Sequence, residues 1–309
     1  MKRTLWSLAM AAALAAPSVV LAQTTKPAAE PAEKSVEGGA DIAVATTGPA
    51  AAEDPNTGGL TLSGGVDFVT AYFFRGYNQE DGGLIAQPYI TLTAAIASTD
   101  DYTLNAYVAT WNSFQSAQTL ASGSGPAAFY ENDIYGGLDL VLGKFTVGAL
   151  YTFYQYPNGA FQTIQEVGFK FGYDDTELMK GAGVNFALKP FAGIYIETSD
   201  GNGTDDTYAE VGIAPSFAVD EGKITLSFPV VLGLSIDHYY LDADGENEIF
   251  GYGGISALAT IPLPIPEKYG AWSLTGGVQY LQLFANSAAA ANNGDWNQFI
   301  GKLGIGFSY

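Results

Sequence analysis

The closing segment, Phe299 to Tyr309, constrains the fold more than any other part of the chain. Read as extended backbone, one phase carries Phe299, Gly301, Leu303, Ile305, Phe307 and Tyr309. The other carries Ile300, Lys302, Gly304, Gly306 and Ser308. Successive side chains of a strand point to opposite faces. One face is therefore apolar and ends in an aromatic ring, and the other is small and polar. That is the pattern of a strand with lipid on one side and an aqueous lumen on the other. The terminal aromatic residue, Tyr309, makes the barrel-insertion machinery an expected partner.

The same texture recurs upstream, with extended runs separated by clusters of Gly, Asn, Asp and Pro. Twelve strands are expected: 60–74, 84–98, 101–113, 129–142, 144–156, 160–172, 183–199, 205–219, 222–240, 247–261, 269–285 and 296–309. An even count suits a closed single-chain barrel. The expected fold is all-β: an antiparallel transmembrane β-barrel of about 12 strands over 59–309. A soluble sandwich would need a polar exterior. Here the apolar phase is matched by Gly, Ser, Thr, Tyr and scattered charges, strand after strand. Aromatics near strand ends, among them Tyr72-Phe73-Phe74, Tyr151 to Tyr156, Tyr239-Tyr240, Trp272 and Trp296, are expected at the lipid–water interface.

The amino terminus has the layout of a secretory signal over 1–22. Lys2 and Arg3 form its basic region, Leu5 to Ala16 its apolar region, and Val20-Leu21-Ala22 its cleavage pattern. No later run is long and apolar enough for a transmembrane helix. Residues 23–58 are rich in Ala, Pro and Glu and lack aromatics. They are expected to form a disordered periplasmic linker. A plain tether is the simpler role and a peptidoglycan contact the functional one. The expected location is the cell outer membrane, with the tail and the carboxy terminus in the periplasm. Short links such as Thr99-Asp100, Gly143-Lys144 and Asp220-Glu221-Gly222 would lie on that side. Longer links, such as Phe114 to Ala128 and Asn286 to Asp295, would lie outside.

The net charge of −20 argues against nucleic acid, whose phosphates need Lys and Arg. The charge reads either as a preference for cations or neutral solutes or as acidic extracellular loops that keep neighbours apart. The polar phases of the strands define a lumen-lining set. Its members are Asp67, Arg75, Glu131, Asp133, Asp139, Glu166, Lys170, Lys189, Glu197, Glu210, Lys223, Asp237, Glu248 and Lys302, with Tyr135 and Tyr208 in the same phases. A charge facing lipid at the midplane costs about 2–4 kcal/mol for Arg or Lys, so these phases should turn inward. Twelve tilted strands give a backbone diameter of roughly 24 Å, hence a narrow pore or a plugged lumen. Acids outnumber bases, which would favour cations or neutral solutes; the alternative is that the charges pair and hold the barrel closed. Arg75, the one arginine beyond the signal segment, is expected to latch onto lumen acids such as Asp67 or Glu131, the other reading being a contact for an anionic solute.

The segment Thr70-Ala71-Tyr72-Phe73-Phe74-Arg75-Gly76-Tyr77-Asn78-Gln79 resembles the first-strand signature of the TorF-type porin family, first catalogued as conserved hypothetical exported proteins. The pattern is aromatic, spacer, aromatic, Arg-Gly, then Gln three residues after the Gly: Tyr72, Phe74, Arg75, Gly76 and Gln79. The resemblance implies an outer-membrane porin with no assigned substrate and no catalytic or ligand residues.

Enzyme chemistry lacks its parts. The single histidine, His238, follows Ser235-Ile236-Asp237, but on a strand Ser235 and Asp237 share a face that His238 does not. His238 is expected at the interface. Asp242-Ala243-Asp244-Gly245-Glu246-Asn247-Glu248 is a fragment of a calcium-loop pattern with Gly253 where the bidentate Glu would stand. There is no cysteine for a thiolate site. No catalytic residue, metal or cofactor is expected. The leading function is passive diffusion of small solutes through a porin-like channel. The alternative is a structural or adhesion barrel whose lumen is closed by salt bridges, which inward-folded loops and interlocked lumen side chains would mark.

Overall fold

A computed structural model describes residues 59–120, 125–184, 186–199, 206–219 and 223–309. The expected signal segment, the linker 23–58, the acidic run 200–205 and the link 220–222 lie outside the described residues.

The strands are β1 (Leu60–Val69), β2 (Tyr72–Phe74), β3 (Tyr77–Glu80), β4 (Ile85–Ser98), β5 (Tyr102–Gln115), β6 (Phe129–Leu142), β7 (Phe145–Gln155) and β8 (Ile164–Tyr173). They continue as β9 (Pro190–Ser199), β10 (Thr207–Ile213), β11 (Ser216–Val219), β12 (Ile224–Ser227), β13 (Val230–Asp237), β14 (Phe250–Pro262), β15 (Ala271–Leu283) and β16 (Asn297–Ser308). Two short helices, α1 (Thr176–Gly181) and α2 (Asn286–Ala291), sit in connections.

All pairings are antiparallel, β1 pairs with β4, β10 with β13 and β14 with both β12 and β13, and β16 returns to β1 with Ser63 opposite Ser308 and Val69 opposite Lys302. The sheet therefore closes. Pro215 separates β10 from β11 and Pro229 separates β12 from β13, because proline has no N–H for the ladder. The backbone bridges both breaks, with Phe228 N donating to the Pro215 carbonyl at 2.8 Å. Each pair is one interrupted strand, and the wall is a closed antiparallel 12-strand barrel.

Period-two segregation runs around the wall. Val108, Ile134, Phe153, Phe169, Val211, Ile255 and Val278 point outward and stay exposed, Val108 to 53% and Val278 to 54%. Their strand neighbours are buried: Trp111, Asp133, Thr152 and Glu166 are at most 1% exposed. An apolar belt of this extent is not left to water. A closed sheet leaves no edge of unpaired amides, which is what crossing hydrocarbon demands of strands. Among the described residues no helix is long and apolar enough to cross a membrane.

One expected element is wrong in an informative way. The first strand does not run to residue 74. It stops at Val69, and residues 72–80 turn back as a two-stranded ribbon, β2–β3, separate from the wall. Tyr72, Phe73, Phe74 and Tyr77 are at most 3% exposed, and Tyr154, Tyr239 and Tyr240 are fully buried. These rings are not an interfacial girdle; they fill the interior. Trp296 and Tyr309 do remain exposed at strand ends. Periodicity alone could not separate the cases, because an aromatic run suits a rim and a packed plug equally.

Candidate functional site: a hairpin latched across the lumen

The hairpin lies at the barrel end opposite residues 59 and 309. Its contacts reach β6, β8, the segment after β13, and α2, which surround it; such contacts are possible only from within the barrel. The tip is a two-residue turn, Arg75-Gly76, with φ of +45° and +83°. Consecutive positive φ values are what a tight antiparallel hairpin requires, and a non-glycine residue there is unfavourable. Gly76 also presses on the wall: a Cβ there would stand 3.1 Å from the Tyr252 Cβ.

Arg75 is 3% exposed and Glu166 1%. The guanidinium donates to both carboxylate oxygens, Nη1 to Oε2 at 2.9 Å and Nη2 to Oε1 at 3.2 Å. Tyr154 Oη donates to the same carboxylate at 3.0 Å. The guanidinium carbon lies 4.1 Å from the Tyr208 ring centroid, 4.5 Å from Tyr195, 4.8 Å from Phe74 and 5.5 Å from Tyr239. Desolvating such a pair is costly, and bidentate bonding, the third donor and the ring faces offset that cost. Arg75 thus latches onto Glu166, not onto Asp67 or Glu131. The strand turns inward after Val69, which carries the tip across the lumen beyond both of those residues.

The rest of the motif is explained by the same geometry. Tyr72 Oη donates to Glu131 at 2.9 Å, and Tyr156 Oη to the other oxygen at 3.3 Å. Tyr130 Oη donates to Gln79. Tyr240 Oη donates to the Arg75 carbonyl at 2.7 Å. Tyr77 stacks on Tyr240 and donates to the Tyr239 carbonyl at 2.9 Å, with Ser287 of α2 at 2.8 Å. Glu80 accepts from the backbone and hydroxyl of Thr119 at 3.0 and 2.9 Å. Tyr, Arg, Gly and Gln of the signature each make a closing contact or a required turn.

The other expected lumen residues divide by position. Asp133 is fully buried between Trp111 and Tyr154 in the strand register. Glu197 is buried opposite Glu166. Glu210 accepts from Tyr195 at 3.2 Å and from Tyr208 at 3.0 Å. Asp67 pairs with Lys302 at 2.7 Å. Asp139 and Lys170 flank Gly148 across three strands. A Cβ on Gly148 would fall 2.2 Å from the Asp139 Oδ1 and 3.3 Å from the Lys170 Cε, so glycine leaves room for both.

Four of the expected lumen residues stand elsewhere. Lys223 is exposed in the turn before β12, and Asp237 is exposed at the end of β13. Lys189, at φ +47°, precedes β9, and its backbone N–H donates to Asp175 at 2.8 Å. Glu248 lies before β14 and accepts from the Asn286 backbone at 2.9 Å. Lys189, Lys223 and Glu248 fall outside the strands and Asp237 ends one, because the connections are longer than the apolar alternation suggested. His238 leaves the strand at φ +49°, is exposed, and its ring bonds to Asp237, which was expected on the opposite face. Ser235 Oγ instead donates to Asn247. In the acidic loop, Asp242 Oδ1 accepts from the amides of Asp244 and Glu246, closing the turn on itself.

Of the four rings around Arg75, only Tyr208 was expected inside the barrel. Tyr208 shares the polar phase with Glu210, and Tyr195 shares it with Glu197. An inward tyrosine beside an inward acid was the available signal.

No family model and no curated protein matches the chain. Among solved structures, an outer membrane channel from Pseudomonas putida F1 is similar, with 11% identity, 84% of this chain and 99% of that one covered, and a TM-score of 0.48. The NanC porin shares 10% identity over 80% of this chain and 98% of that one, at 0.36. Outer membrane phospholipase A from Escherichia coli shares 12% over 79% and 89%, at 0.39. Likenesses at this level, spanning channels and an enzyme, assign neither a family nor an activity.

Proposed function

We propose that the chain is an outer-membrane channel for small solutes whose passage is narrowed by the 72–80 hairpin. The observation that carries the reading is the division of the interior. Toward the end nearer both termini of the barrel, no inserted element fills the lumen, and small or hydroxylated inward positions such as Thr61, Ser63, Thr93, Gly137 and Thr275 alternate with larger ones such as Tyr107 and Lys170. Toward the other end the hairpin and its tyrosines occupy the lumen. A wall that keeps an inward polar face far from any plug suits a water-filled vestibule. Acids outnumber bases on the inward face, so cations or neutral solutes are the favoured permeants. The tyrosine–arginine–glycine signature shared with the TorF-type porins agrees with this assignment. The tail and both termini of the barrel are assigned to the periplasm because two of the tightest links, 99–101 and 143–144, lie at that end.

The second reading is a closed structural barrel, and the buried Arg75–Glu166 pair favours it. Single-channel recording of the whole protein in planar bilayers separates the two. Steady conductance with a cation-directed reversal potential supports the channel. Silence from folded, heat-modifiable protein overturns it.

A further inference from the structure

The wall partners of Arg75 are each oriented by a further contact to the barrel wall. Glu166 is oriented by Tyr154, a wall residue, at 3.0 Å. Tyr195 and Tyr208 both donate to Glu210, at 3.2 and 3.0 Å, which fixes how their rings face the lumen. Tyr208 also touches Tyr252 Oη at 3.3 Å. All these groups stand on β7 to β10 and β14. The guanidinium alone arrives from elsewhere, at the tip of a hairpin whose arginine holds an unfavourable positive φ.

A forked carboxylate beneath two ring faces is the chemistry that recognises guanidinium. The local charge points the same way. Glu166, Glu197 and Glu210 share the neighbourhood, and Arg75 is the basic residue among them. We propose that this wall site is a guanidinium-binding site that Arg75 fills as a tethered occupant. A solute bearing a guanidinium group would then compete with the Arg75 side chain for Glu166. The exchange needs only the side chain to swing away, because the hairpin is held independently by Tyr72, Tyr77, Gln79 and Glu80. This deepens the channel reading by naming a solute class, and it rests on that reading only for the route by which the solute arrives.

The test is binding, not conduction, so a silent channel leaves it decisive. Guanidinium chloride is titrated calorimetrically into detergent-folded protein, with sodium chloride as the ionic-strength control. A tethered competitor acts at an effective concentration in the millimolar range or above, so removing it in R75A should tighten guanidinium binding by about tenfold or more. R75A/E166Q should lose that gain. R75Q, which keeps a polar stem without the charge, replaces R75A if the alanine variant does not fold. Equal binding by R75A and R75A/E166Q, or no gain of R75A or R75Q over the natural chain, overturns the proposal.

Discussion

The two ends of the barrel interior solve the same problem in opposite ways. Both must satisfy inward polar groups within a closed sheet. Nearer the barrel termini this is done with short hydroxyls, as in the 2.9 Å contact between Thr260 and Thr275, and with charges set around a glycine, as Asp139 and Lys170 are around Gly148. At the other end it is done by bringing in a foreign element, the hairpin, whose hydroxyls and guanidinium meet wall carboxylates. The first arrangement uses only wall side chains; the second adds a packed insert. The difference is one of side-chain size on a common strand pattern.

Breaking the latch should have the largest effect on stability. Removing one partner of a buried ion pair strands the other, at a cost of about 3–5 kcal/mol. Glu166→Ala is expected to destabilise the barrel by that amount, read as a lower denaturant midpoint for loss of heat-modifiable migration. A paired substitution sharpens the contrast between the ends. Thr152→Lys, at a fully buried position, should destabilise the barrel by at least the roughly 1–3 kcal/mol of overpacking. Thr93→Lys, on the same inward phase nearer the termini, should change stability within about 0.5 kcal/mol. Equal costs would erase the distinction drawn between the two ends. Gly76→Ala, forced into φ +83° against Tyr252, should cost about 1–3 kcal/mol and loosen the hairpin. It is measurable as faster amide exchange at residues 72–80.

The smallest effect lies outside the membrane. The Asp237 carboxylate, bonded to the exposed His238 ring, raises the imidazole above its ordinary value of 6.5. The raised folded value means the stabilisation is present below that pH and is lost as pH rises through the folded value. An NMR titration should show the raised value, with Asp237→Asn returning it to the ordinary one.

The wall was legible because period-two alternation is enforced by lipid at every position. Ile134 and Phe153 have no alternative but to face outward. The plug was not legible, because inside a barrel nothing forces a period. Tyr72-Phe73-Phe74 obey strand propensity while packing against other side chains, and only the Arg-Gly turn marked the reversal. Arg75 was recognised as a latch but given the wrong carboxylate. The partner of a residue at a hairpin tip depends on where the chain crosses the lumen, and a one-dimensional pattern holds no such information. Lys189, Lys223, Asp237 and Glu248 were misplaced because alternation fades where strands pass into loops.

The most direct test of the plugged-end account is single-channel conductance in planar bilayers before and after excision of the hairpin. Residues 71–82 are replaced by a short Gly/Ser linker joining Thr70 to Gly83. An opened lumen predicts a rise in conductance on the order of tenfold with the barrel still folded. Conductance unchanged by excision, in protein that retains heat-modifiable migration, would contradict the claim that this hairpin narrows the passage.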